Sequence, residues 1–312
     1  MENENNPLLI QLGQLDFDDS IFNPMKSGTG LDLLISDAGG IMPATIAVCC
    51  GSPGLGKSIV TLDWIANIQS QNPALSVLFV SAEMKQTDMF SYTRHFPHFR
   101  NVTTFFPGDF IEDAVGDKVI SVFEQGWNLI LVDSLAAMLD ILRGENSQLN
   151  QNTAEKWFIN LMLNHTQGLN SRKIYTAFIL IQQVTKSGIF AGSMKLKHET
   201  TAMMEMRRDE EGNRYIEFSK NRRGTTLKRM YFNIITGKVE YDINRWHKDA
   251  ELKEKINTDK EKERLQIDED KFNELFGFMK NEIVELETTP IEVSQTENQP
   301  IIDENSTTQT FI

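Results

Sequence analysis

The sequence predicts an α/β fold: a mostly parallel sheet flanked by helices, with an antiparallel hairpin extension towards the C-terminus and a disordered acidic tail. Three observations carry that reading. Near-continuous apolar runs of strand length recur between segments of helical periodicity, the pattern of a parallel sheet covered on both faces. A glycine-rich octapeptide stands between the first such run and the first long helix. From about residue 213 the pattern changes to short strands joined by polar turn segments, as in an antiparallel meander.

Residues 1–26 read as an extended lead-in. Thr29-Gly30, Gly39-Gly40 and Pro43 punctuate the approach to the first strand, Thr45-Ile46-Ala47-Val48-Cys49-Cys50. The helix that follows, Ser58 to Gln69, carries Ile59, Leu62, Ile65 and Ile68 on one face. Further strands are expected at Val77–Val80, Asn128–Val132, Ile174–Ile181 and Thr201–Met206, with helices over 85–95, 112–124 and 151–166. Tyr215–Phe218 and Met230–Ile234 form the antiparallel pair, and Val239-Glu240-Tyr241 closes it. The expected domain spans 27–245. A charged helical extension (246–280) and a tail (281–312) with 7 acidic and no basic residues follow. That composition is one of disorder. Its terminal Phe311-Ile312 suits a partner-binding peptide or is a plain solvated end.

Composition sets limits. No run of 18 apolar residues exists, so no membrane span is expected. The first residues lack the basic-then-apolar order of a secretory signal. The 2 cysteines are adjacent, Cys49 and Cys50, which suits neither a disulfide nor a zinc site. A cytoplasmic setting is the expectation. The net charge of −13 is unevenly spread: residues 251–312 hold 16 acidic and 7 basic side chains, whereas 186–229 holds 11 basic and 6 acidic. Local potential governs association, so the average does not exclude a nucleic-acid partner.

The octapeptide Gly51-Ser52-Pro53-Gly54-Leu55-Gly56-Lys57-Ser58 fits G-x-x-x-x-G-K-[ST], the phosphate-cradling loop of P-loop NTPases. The glycines let backbone N–H groups turn inward around phosphates. Lys57 then reaches the β- and γ-phosphates, and the Ser58 hydroxyl binds Mg²⁺. ATP with Mg²⁺ is the expected ligand pair. Asp133 closes the run Leu129-Ile130-Leu131-Val132, about 75 residues after the loop. An acid ending a buried strand there is placed to hold Mg²⁺ directly or through water. Glu83, just past the Val77–Val80 strand, suits the base that activates the attacking water; a first-turn helix acid stabilised by the dipole is the competing reading. Gln183, with Gln182 beside it, follows the fourth strand and either senses the γ-phosphate or is a surface residue.

The segment Val184–Glu199 holds Lys186, Lys195, Lys197 and His198 with Gly188 and Gly192. A basic, glycine-punctuated loop at the nucleotide edge suits the backbone of single-stranded nucleic acid, with Phe190 stacking on a base. An ordinary solvated loop is the alternative. Lys220 and Arg222 share one side of a strand at the tip of the late hairpin. Two cations so placed can reach a neighbouring copy's γ-phosphate, or lie in solvent or on DNA.

In this order the elements resemble the RecA-like P-loop ATPases over roughly residues 27–243. Val132-Asp133-Ser134-Leu135-Ala136-Ala137 resembles the acid-bearing strand end of RecA, and Val80-Ser81-Ala82-Glu83-Met84 the catalytic-glutamate motif of DnaB-type replicative helicases. Val184-Thr185-Lys186-Ser187-Gly188 is similar to a segment of RadA/Sms repair proteins. Lys220-Asn221-Arg222-Arg223-Gly224 resembles the Lys-Asn-Arg-Phe-Gly motif of RadA and the Lys-x-Arg finger of DnaB, with Arg223 in place of Phe. Only the ATPase core of those proteins is matched. The resemblance implies a hexameric ring or filament with ATP between subunits and single-stranded DNA along the central channel. Lys57, Ser58, Glu83 and Asp133 would act in cis, Lys220 and Arg222 in trans. It implies a motor or remodelling ATPase of replication, repair or recombination, with a replication or repair protein as the partner of the acidic tail. A RecA-type strand-exchange recombinase and a KaiC-like regulatory ATPase indifferent to DNA are the alternatives.

Overall fold

The computed structural model describes residues 10–15, 17–111, 114–145, 150–183, 193–226 and 228–249, with further positions between 258 and 271. The chain divides into two compact units, residues 1–251 and 252–312. In the second, the described positions are helical, within the stretch of helix-forming composition. Residues 281–312 lie outside the described residues.

In the first unit, short 3₁₀ turns at Leu12–Gln14 and Asp19–Phe22 interrupt the expected extended lead-in, and α1 (Asp32–Ile35) follows. Then come β1 (Ile46–Gly51), α2 (Lys57–Gln71), β2 (Val77–Ser81), α3 (Gln86–His95), β3 (Thr103–Phe105) and α4 (Val115–Phe123). Next are β4 (Leu129–Asp133), α5 (Leu135–Glu145), α6 (Gln151–Thr166), β5 (Ala177–Gln183) and α7 (Met194–Glu199). The chain continues through β6 (Ala202–Arg208), β7 (Arg214–Asn221), β8 (Met230–Ile235) and β9 (Lys238–Tyr241). Among the described residues these strands form one nine-stranded sheet in the order β3-β2-β4-β5-β1-β6-β7-β8-β9. The first six in that order are parallel; β7, β8 and β9 are antiparallel additions to the same sheet. No helix of the described residues is long and apolar enough to cross a membrane.

Strand alternation sorts the core into two layers. Ala47, Cys49, Leu129, Leu131, Ile179 and Ile181 face the layer of α2, where Val60, Trp64, Ile65 and Ile68 are buried. Val48, Ile130, Val132, Phe178 and Leu180 face α4, α5 and α6 through Val119, Phe123, Met138, Phe158 and Met162. Both faces are therefore dry, which is why the polar positions of β4 and β5 are confined to their carboxyl ends. Truncating one of the buried Leu, Ile, Met or Phe side chains to Ala costs about 2–5 kcal/mol. The thiols of Cys49 and Cys50 lie inside this central strand, and burial pushes Cys49 well up and Cys50 up to about 12.

Three expectations need correction. The strand expected from Ile174 begins at Ala177. The backbone before it is spent elsewhere: the Asn170 side chain bonds both the N–H and the C=O of Ile174, and Thr176 N–H donates to His165 of α6. The Leu135–Glu145 stretch, for which no helix was expected, is a full helix that packs against α6. The segment read as a basic loop ends in α7, whose Ser193 side chain accepts a hydrogen bond from the Leu196 N–H. Residues 184–192 lie outside the described residues.

Candidate nucleotide site

The register brings the predicted residues to one sheet edge. Gly51 at the end of β1 is level with Gln183 of β5 and Met206 of β6. Asp133 at the end of β4 is level with Ser81 of β2. The N–H groups of Ala82 and Glu83 donate to the Asp133 carbonyl at 2.8 and 3.0 Å, which fastens the turn after β2 to the end of β4. Ligand sites of parallel α/β sheets form at this edge, beyond the carboxyl ends of the strands.

The loop Gly51–Ser58 joins β1 to α2. Gly54 and Gly56 have φ of 77° and 94°, where side chains rarely go. A Cβ on Gly56 would also collide with Ile234 of β8. Leu55 turns into the core and anchors the loop. Lys57, 9% exposed, folds back over its own loop, donating to the carbonyls of Gly51 at 2.8 Å and Ser52 at 3.1 Å. A phosphate would exchange these neutral acceptors for charged ones, and charge-assisted bonds are stronger.

Asp133 is 2% exposed. Burial pushes its carboxyl up to about 6, with Glu83 adding repulsion; the Ser58 hydroxyl and the Lys57 ammonium pull the other way. Its Oδ2 is buried without a hydrogen-bond partner. An unpaired carboxylate oxygen beside a serine hydroxyl suits a hard divalent cation. Among the described residues no three His, Cys, Asp or Glu side chains form a cage. Mg²⁺ is held by one or two protein oxygens together with phosphates and water. The residues present therefore fit Mg²⁺–nucleotide.

A cavity of about 340 Å³ opens here, lined by Pro53, Gly54, Gly56, Lys57, Ser58, Glu83, Asp133 and Gln183. The Glu83 side chain is exposed. Gln182 faces away and is buried, its Oε1 unpartnered, so Gln183 is the amide that meets the cavity. Tyr92 of α3, Ile59 and Ile181 complete the lining, and the sequence reading missed them as site residues. Burial raises the Tyr92 phenol, with Asp133, Asp88 and Glu83 adding to the shift. Only Met89 of α3 is fully buried, so no apolar periodicity pointed to Tyr92.

The remaining candidates lie elsewhere. Lys186 and Phe190 are outside the described residues. Lys195 and Lys197 are exposed on α7, and Lys195 Nζ donates to Asn160 Oδ1 at 3.4 Å. Lys220 is not at a free hairpin tip: it belongs to β7, opposite Met203, where a bulge shifts the register. Ala47, Ala202 and Asn221 share one level of the sheet, four residues below Gly51. At about 3.3 Å per residue along a strand and 4.8 Å between strands, Lys220 and Arg222 lie on the order of 15 Å from their own phosphate loop. Both donate to carbonyls of α7 instead. Arg223 is structural: its Nη1 donates to the Pro43 carbonyl at 2.5 Å and to Thr45 Oγ1 at 3.0 Å.

Fold and site together are a mostly parallel sheet flanked by helices, with the glycine-rich loop Gly51–Ser58 at its carboxyl edge. No protein-family model and no curated protein matches the sequence. Among solved structures, the chain is similar to the KaiC-like protein PH0186 from Pyrococcus horikoshii OT3. Identity is 18% over 70% of this chain and 98% of that one, with a TM-score of 0.47. It is also similar to the flagellar accessory protein FlaH from Methanocaldococcus jannaschii, at 15% identity over 65% and 92% of the chains and a TM-score of 0.47. The narrower likeness to RadA and DnaB rests on the motifs alone.

Proposed function

We propose that this chain hydrolyses ATP with Mg²⁺ as a homo-oligomer and uses the turnover to move along or remodel single-stranded DNA. The observation that carries the ATPase reading is the buried, half-partnered Asp133 beside Ser58 and Lys57 in a cavity that Glu83 also lines. The backbone of Gly51–Ser58 cradles the α- and β-phosphates, and Lys57 neutralises the β–γ bridge. Ser58 and Asp133 hold Mg²⁺, which when bound offsets charge on the transferring phosphate. Glu83 takes a proton from the attacking water, whose oxygen bonds to the γ-phosphorus as the bond to ADP breaks. Gln183 orients the γ-phosphate. Lys220 and Arg222, out of reach of their own cavity, serve a neighbour's; this supports ATP at subunit interfaces. Lys195 and Lys197, with Lys186 and Phe190, contact the nucleic-acid backbone and bases.

The test is ATP turnover with and without oligo(dT) at low salt. A several-fold rise with DNA supports the reading. ATP-dependent oligomers whose turnover ignores DNA would point instead to a KaiC-like regulatory ATPase. Joint-molecule formation without unwinding would point to a strand-exchange recombinase.

A further inference from the structure

The fold ties together two pairs of cations, Lys195 with Lys197 and Lys220 with Arg222. Lys220 Nζ donates to the Lys197 carbonyl at 2.7 Å and to the His198 carbonyl at 3.2 Å. Arg222 Nη2 donates to the same His198 carbonyl at 3.0 Å. These carbonyls belong to the last turn of α7, the helix that carries Lys195 and Lys197. The end of a helix leaves carbonyls without intrahelical partners and gathers partial negative charge. Lys220 and Arg222 supply the counter-charge. The Thr200 hydroxyl adds a bond to the Lys197 carbonyl at 3.0 Å.

The arrangement is held against a like-charge cost. Burial, then Arg222 and Lys197, lower the Lys220 ammonium; only Glu199 opposes them. Six residues are too few for a helix to persist alone. Leu196, fully buried, and the Ser193 cap hold α7 from its other side. Its C-terminal turn therefore depends on two side chains that belong to β7 and its exit.

We propose that the last turn of α7 is a dock that withholds Lys220 and Arg222 from phosphate, so that α7 and a neighbour's nucleotide compete for the same two cations. The proposal rests on the trans-acting reading above. Coupling of this kind is reciprocal. Phosphate that captures Lys220 and Arg222 loosens α7. Nucleic acid that draws α7 away through Lys195 and Lys197 frees Lys220 and Arg222 for hydrolysis in the adjacent copy. DNA stimulation then follows from release of a held pair.

The experiment uses the full chain, with amide exchange of residues 193–201 read by mass spectrometry and ATP turnover read with and without oligo(dT). Lys220→Gln/Arg222→Gln removes the counter-charge, and His198→Gly weakens the turn at an exposed position. The double substitution is expected to speed exchange of 193–201 by roughly threefold or more without nucleotide, as local opening becomes easier. His198→Gly is expected to raise DNA-free turnover by roughly threefold and to shrink the stimulation ratio correspondingly. If hydrolysis is lost in the double variant while exchange stays unchanged, the trans-acting reading survives and the dock is refuted. If exchange quickens while hydrolysis persists, the trans-acting reading fails and the competition goes with it. A parallel fall of both turnovers in His198→Gly, leaving the ratio fixed, also overturns the dock.

Discussion

The two edges of the sheet hold their charged side chains on different terms, and the difference lies with Asp133. At the carboxyl edge Lys57 and Asp133 are buried, and one Asp133 oxygen has no partner. At the other edge Lys220 and Arg222 are more open to solvent, and carbonyls of their own chain satisfy them. The first edge leaves one Asp133 oxygen without a partner, and burial disfavours the ionised form of that carboxyl. The second is complete as it stands and has to be undone before it can act. A site that lacks a cation is stabilised by finding one, whereas a site already satisfied gains only the difference between two sets of bonds.

The sharpest way to break this contrast is at Lys57. Lys57→Ala removes the charge at the phosphate loop, and turnover is expected to fall by roughly a hundredfold to a thousandfold, the loss typical of a transition-state donor. Retained turnover in a steady-state assay would detach the loop from the chemistry. Next is the opposite edge. Lys220→Ala/Arg222→Ala should lower turnover by about a hundredfold, less than a dedicated trans-acting arginine supplies. The affinity of the isolated chain for nucleotide should stay within about threefold, since the pair lies on the order of 15 Å away. Equal losses in binding and turnover would move the pair into the same-chain site.

Asp133 offers a smaller effect with an unusual sign. Its folded carboxyl lies at about 6 against the ordinary 3.8. A raised pKa contributes stability that is present below the lower value and lost as pH rises through the upper one. At neutral pH without ligand the ionised group therefore costs on the order of 3 kcal/mol. Asp133→Asn should raise the ligand-free melting temperature at pH 7 by several degrees and flatten its pH dependence between about 4 and 6, while abolishing any rise on adding Mg²⁺–nucleotide. A variant that melts lower at pH 7 would mean that Asp133 already has its partner. The smallest effect belongs to a region outside both edges. Arg229 stacks over Tyr215 at 4.5 Å and pairs with Glu217 at 3.3 Å. Arg229→Ala should cost about 1 kcal/mol or less in thermal unfolding and leave turnover alone.

Legibility in the sequence followed the range of the interactions. The phosphate loop and Asp133 are contiguous motifs in which strand and helix are neighbours in the chain, so periodicity and spacing located them. Gln183 was legible as a strand-end amide, but its choice over Gln182 needed the register with Gly51. Tyr92 reaches the cavity only because α3 packs beside the loop, and it sits in no local pattern, whereas Ile181 was legible as a strand residue but not as cavity lining. α7 was hidden by the glycines before it, although Ser193 is a sound N-cap residue that could have announced a helix. The hold of Lys220 and Arg222 on α7 spans more than twenty residues and runs from side chain to backbone, a contact with no signature in composition.

Cys49 and Cys50 sit side by side in β1, between β5 and β6. Both are reduced and buried, with their thiols held far from ionisation. A thiol-directed reagent at neutral pH meets a thiolate only when β1 has left the sheet. The chain thus carries its own stopwatch: alkylation times the rarest and largest excursion of the molecule, and Mg²⁺–nucleotide bound at the end of that same strand should slow the clock.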